Sequence, residues 1–119
     1  AGGRPRRSRP GVCLDIVEIE RVARLAKRNP RFLARVCSAD EIRYCRGKRR
    51  QWQHFAVRFA AKEAVWKALG EGGVALKDIA VSRGADGSPS VRLKGKPAPR
   101  IRISLSHCDR YAAAVAVLA

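Results

Sequence analysis

The chain has 119 residues, 26 of them Lys or Arg against 10 Asp or Glu, for a formal net charge of +16. That length suits one domain with a modest core, and a hydrophobic fraction of 46% excludes wholesale disorder. The longest apolar run, Tyr111 to Ala119, is under half of the ~20 residues a membrane-spanning helix needs. The charged, Pro-rich start is not a secretory signal, so a cytoplasmic protein is expected.

Residues 1–10, AGGRPRRSRP, read as a flexible basic tail ahead of a single domain over residues 11–119. Val12 to Val17 is an apolar run, broken by Asp15, and predicts a short buried strand. Residues 18–28 turn to helical period, with Ile19, Val22, Leu25 and Ala26 on one face and Arg21, Arg24 and Arg28 on another. Asn29-Pro30 ends that helix, and Phe32, Leu33 and Val36 suggest a further helical turn. Ser38-Ala39-Asp40-Glu41 is a capping box, predicting a helix to about Arg46, with Gly47 and Lys48-Arg49-Arg50 as its exit. Gln51 to Leu69 is the strongest helix and Gly70 its stop. Trp52, Phe55, Phe59 and Trp66 form one stripe, while Val57, Ala61, Ala64, Val65 and Ala68 make the opposite side apolar. A helix apolar nearly all round belongs at the centre of its domain.

Beyond Gly70-Glu71-Gly72-Gly73 the pattern is that of strands. Ile79 to Ser82 and Ser90 to Leu93 flank the turn Ala85-Asp86-Gly87-Ser88 as a hairpin. Ile101, Ile103 and Leu105 alternate with polar residues, and a last strand runs from Tyr111 to Leu118. Helices first and antiparallel strands later make the class α+β, with helices packed on an antiparallel sheet.

So basic a surface seeks an anion, whether nucleic acid, membrane, acidic protein or polyphosphate ligand. Cysteines 13, 37, 45 and 108 include no C-x-x-C pair, which argues against a zinc ribbon, and they read as reduced thiols. Two acids are oddly placed. Asp15 interrupts the apolar strand, and Glu63 lies within the aromatic stripe between Phe59 and Trp66. Each needs compensation, either by Lys or Arg pairing or by a shared hard metal ion. Arg58, Lys62 and Lys67 surround Glu63 on its helix, an arrangement suited to a metal–phosphate complex, although local pairing of Glu63 with Lys67 is the simpler reading. His107 ends the strand ISLSH, where a structural role is the ordinary one, and the glycines of GEGG permit close backbone approach to a nucleotide without forming a P-loop.

Three segments, GVCLDIVEIERV, RFAAKEAVWKALGEG and ISLSHCDRYAAAVAV, together resemble holo-acyl carrier protein synthases, a group of 4'-phosphopantetheinyl transferases, over residues 11 to 119. The resemblance implies an enzyme moving phosphopantetheine from coenzyme A to a serine of apo acyl carrier protein and releasing adenosine 3',5'-bisphosphate. It also implies Mg2+ held by Asp15 and Glu63, with Glu63 and Lys67 catalytic. Coenzyme A is expected on Arg58, Lys62, Lys67, Gly70, Gly72 and His107. Carrier protein is expected to dock on Arg21, within the ridge that includes Arg24 and Arg28. A homotrimer with sites between subunits is expected, with no membrane or nucleic-acid partner. Two departures stand out: Gly70-Glu71-Gly72 replaces the family's Gly-Thr-Gly, and KGKPAPR replaces a helix before Ile101.

The alternative is a basic nucleic-acid-binding protein of ribosomal type, favoured by the net charge and by the RGKRR run. The aromatics argue against it, because they gather in one buried stripe rather than on an exposed sheet.

Overall fold

A computed structural model describes residues 11–70 and 73–119. The predicted tail at 1–10, and Glu71 and Gly72 of the glycine-rich turn, lie outside the described residues. The order is β1 (Val12–Glu18), α1 (Ile19–Arg28), α2 (Phe32–Val36), α3 (Ala39–Arg46), α4 (Gln51–Ala68), a 3-10 turn (Leu76–Asp78), β2 (Ile79–Arg83), β3 (Pro89–Leu93), β4 (Lys96–Pro97), β5 (Ile101–His107) and β6 (Tyr111–Leu118). Two antiparallel three-stranded sheets form, β1-β6-β5 and β2-β3-β4.

Helix α4 is the hub. It packs on β6, β1, β5 and β2 and also meets α1 and α3. Phe55, Ala56, Ala60, Ala61, Ala64 and Val65 are fully enclosed. Small alanines let the sheet approach closely, and Phe55 and Val65 fill the remaining space. The aromatic stripe is a mixed surface: Phe59 stacks edge-on against Phe32 at 5.6 Å, and the Trp66 indole donates to the Val74 carbonyl at 3.2 Å. Gly70 ends the helix with φ +91°, a conformation that favours glycine.

The capping box forms as predicted. The Ser38 hydroxyl accepts from Glu41 N–H at 3.2 Å, and Glu41 Oε1 accepts from Ser38 N–H at 2.9 Å. The β2–β3 hairpin also closes where expected, with Gly87 at φ +85° and Asp86 capping Ser88.

The expected burial of the Val12–Val17 run holds for one face only. Asp15 and Val17 point into the domain, while Val12, Leu14 and Ile16 are 64–69% exposed. A strand presents alternate residues to opposite sides, and α4 covers just one side of this sheet. Val12 pairs with Val117, Leu14 with Val115 and Ile16 with Ala113, so the open side is a continuous apolar face. Gly11 anchors the start of β1, because a Cβ there would lie 2.0 Å from the Ala68 carbonyl oxygen.

Candidate active site

β1 and α4 bring the two misplaced acids together. Asp15 sits on the covered face of β1, and Glu63 projects from the middle of α4 close enough for the two carboxyl groups to act on each other. Burial, then the adjacent, negatively charged Asp15 carboxylate, push the Glu63 pKa up to about 7, with Lys67 and Arg21 pulling the other way. Lys67, one helical turn on, places Nζ 3.4 Å from Asp15 Oδ1, and Asp15 raises its pKa by that contact. Asp15 Oδ2 is buried with no hydrogen-bond partner among the described residues. Two adjacent carboxylates with an unused inward oxygen suit a hard divalent cation, which takes one or two protein carboxylates and fills its other positions with water or phosphate. Among the described residues there is no cluster of three or more His, Cys, Asp or Glu side chains, so such an ion would rest on this pair.

The other two α4 cations do not share this station. Successive helix residues turn by about 100°, so Arg58 and Lys62 share a side of α4 displaced from Glu63 and Lys67. The expectation that Lys62 reaches a phosphate meets a fully buried ammonium. Lys62 Nζ lies 2.7 Å from Glu41 Oε1 and donates to the carbonyls of Ile79 and Leu76. The second Glu41 oxygen accepts from Val81 N–H at 2.9 Å. A buried ammonium with three oxygen partners is held by them, and a phosphate would have to open that pair.

Arg58 lines a cleft of about 350 Å³ bounded by Tyr44, Val81 and Arg83. Its guanidinium carbon lies 4.6 Å from the Tyr44 ring centroid, and Lys48 Nζ lies 4.5 Å from the same ring. His54, edge-on to Tyr44, has its pKa lowered first by burial and then by positive charge from Arg58, Lys48, His107 and Arg83. Positive charge therefore converges here, and His107 at the exposed end of β5 contributes to it. Tyr44, Lys48 and Arg83 are members that sequence reasoning missed. Tyr44 and Lys48 are four apart along one stretch, a faint signal, but nothing in the sequence ties Tyr44 to Arg58.

Arg21, Arg24 and Arg28 are all exposed on α1. A larger cleft of about 630 Å³ lies against β2, β3 and β5 and contains none of the predicted site residues.

Residues 11–116 match the 4'-phosphopantetheinyl transferase superfamily. The chain belongs to that family. The holo-[acyl-carrier-protein] synthase of Moorella thermoacetica is 44% identical over 115 residues, covering 88% of this chain and 90% of the relative. That of Koribacter versatilis is 41% identical over 120 residues, covering 91% and 96%. The Helicobacter pylori holo-[acyl-carrier-protein] synthase, solved in complex with coenzyme A, superposes with a TM-score of 0.76 at 31% identity, covering 91% of this chain and 99% of that one. The Neisseria meningitidis enzyme superposes at 0.79 with 26% identity, covering 92% and 97%. Near-complete coverage on both sides makes the likeness one of whole domains, and the α+β class follows from it. No described helix is long and apolar enough to cross a membrane.

Proposed function

We propose that this chain transfers 4'-phosphopantetheine from coenzyme A to a serine of apo acyl carrier protein, with its chemistry at the Asp15–Glu63 pair. The meeting of these two acids, from elements far apart in sequence, is the observation that carries the assignment. The serine oxygen attacks the phosphorus bearing pantetheine. The bond from that phosphorus to the bridging oxygen breaks, and adenosine 3',5'-bisphosphate leaves with the electron pair. Asp15 and Glu63 would hold the magnesium ion, which when bound supplies positive charge against the pyrophosphate oxygens.

The chain's own side chains do the remaining work. Lys67, half-exposed beside Asp15, donates to a phosphate oxygen. Glu63, or a water held beside it by the metal, is placed to accept the serine proton. Arg58 and His107 hold coenzyme A phosphates in the cationic cleft, and Gly70 gives the backbone freedom to pass close to the ligand. Lys62 is kept as a strut that orients α4, with its phosphate role open only if the Glu41 pair parts.

Acidic carrier protein docks on Arg21, Arg24 and Arg28 by charge complementarity. Arg21 acts on the Glu63 titration, so the docking ridge begins beside the reacting centre. The apolar face of Val12, Leu14 and Ile16 supports a homotrimer, as a patch of that kind asks for a second copy. Light scattering giving a single-chain mass at micromolar concentration would refute the trimer.

The transfer is tested by incubation with coenzyme A, Mg2+ and apo carrier protein. The carrier gains the mass of one phosphopantetheine. An unchanged carrier mass with an active control synthase present in parallel would overturn the assignment.

A further inference from the structure

Arg58 is 6% exposed, yet among the described residues it forms no ion pair. Among the described residues its Nε is buried without a partner, and its only hydrogen bond there is a long one of 3.4 Å from Nη1 to the His54 carbonyl. A desolvated guanidinium ordinarily demands a carboxylate. Of the two acids in its cleft wall, Glu41 is spent on Ser38, Lys62 and Val81, and Asp40 on Arg43. The Tyr44 ring stands where the missing anion would. A π face attracts a cation without occupying any of its N–H donors.

We infer that Tyr44 is a positioning residue for coenzyme A, whose ring fixes the Arg58 guanidinium at the cleft while leaving its donor fork open to a phosphate. Lys48 over the same ring adds a second cation to that mouth. This rests on the reading of Arg58 as a coenzyme A ligand. A carboxylate at position 44 would neutralise Arg58 and close the fork. An aliphatic residue would leave the charge unsupported and the side chain free to turn.

Tyr44 is 41% exposed, so its replacement leaves little void in the core. The experiment compares Tyr44→Phe, Tyr44→Leu and Arg58→Gln in steady-state transfer, with direct calorimetry of coenzyme A binding and thermal melts of each protein. Tyr44→Leu raises the KM for coenzyme A about fivefold or more, as expected for loss of a desolvated cation–π contact. Its kcat and its KM for carrier protein stay within twofold. Tyr44→Phe, which keeps the ring, restores the wild-type KM. Arg58→Gln weakens coenzyme A binding about tenfold or more, since it removes a charged donor.

If Arg58→Gln weakens binding and Tyr44→Leu does not, the Tyr44 role is overturned and the Arg58 reading stands. If Arg58→Gln binds coenzyme A normally, the reading of Arg58 fails and the role of Tyr44 fails with it. If Tyr44→Phe is as impaired as Tyr44→Leu, the hydroxyl rather than the ring matters, and the inference is wrong. Should Tyr44→Leu melt early, Tyr44→Met, similar in bulk and without a ring, reads the same KM shift.

Discussion

Both sides of α4 carry a glutamate beside a lysine, and the two are built to opposite ends. Toward α3 and β2, Glu41 and Lys62 are sealed at 2.7 Å, with both carboxylate oxygens and the ammonium fully used. Toward β1, Asp15 and Glu63 crowd two negative groups against one half-exposed lysine at 3.4 Å and leave a buried oxygen unpartnered. The first arrangement has settled its charge internally. The second is incomplete without a cation and a proton, and that incompleteness is what chemistry requires. Residue type does not distinguish the stations. Satisfaction does.

The comparison breaks most visibly in stability. Glu41→Ala strands the Lys62 ammonium in the core and costs about 3–5 kcal/mol, the usual effect of removing one member of a buried pair. Urea unfolding reads the loss directly. A paired Glu41→Met, Lys62→Met variant recovers most of it, because two matched apolar side chains need no partner. If Glu41→Ala is as stable as the parent, the sealed station is not holding α4.

At the other station the order is reversed. Asp15→Asn or Glu63→Gln lowers kcat for transfer by about 100-fold or more, the scale of a lost electrostatic contact in a transition state, while the melting temperature holds or rises. A variant that unfolds before it loses activity would mean that the acids are structural.

The next test sharpens the same contrast with pH and metal. Glu63 binds its proton more tightly folded, at about 7, than the ordinary 4.5. Folding therefore takes up a proton between those values. The stability this group contributes is greatest below pH 4.5 and declines as pH rises toward 7. Thermal melts of the metal-free protein show this slope, and Glu63→Gln flattens it. Added Mg2+ raises the melting temperature above pH 7 in the parent and leaves Asp15→Asn unmoved. Equal stabilisation of both would place the ion elsewhere.

The smallest effect belongs to the surface. Arg21→Glu raises the KM for carrier protein several-fold at low salt and little at high salt, since exposed charges are screened over about 8 Å at physiological ionic strength. The KM for coenzyme A stays put. An unchanged carrier KM at low salt would move docking to the Lys48-Arg49-Arg50 cluster.

The periodicity of residues 51–69 and the capping box at Ser38 made the helices legible, because both signals are local. Asp15 and Glu63 stood out because a carboxylate in an apolar run is costly wherever the chain goes. The Glu41 pairing of Lys62 is not legible in the sequence, because nearness to Glu63 along the chain does not give nearness in space. One residue from Glu63 is about 100° around the helix. Glu41 was read as a cap alone, since nothing local announces that its second oxygen reaches Val81 and its first serves Lys62 as well. The two-sided character of β1 was hidden for another reason. An apolar residue looks the same whether its partner is α4 or another chain.

That two-sidedness makes β1 intolerant of insertions by parity. Asp15 faces inward only because it falls on the odd count with Cys13 and Val17, opposite Leu14 and Ile16. One residue added between Gly11 and Asp15 would turn the acid to the outer face and drive an aliphatic side chain against Glu63. Two residues would restore the inward acid but shift it along the strand, away from its present row with Ala114. With Gly11 fixed against the Ala68 carbonyl, the strand has no slack to absorb either change. Natural length variation among active relatives should therefore fall in the loops and spare the three residues between Gly11 and Asp15.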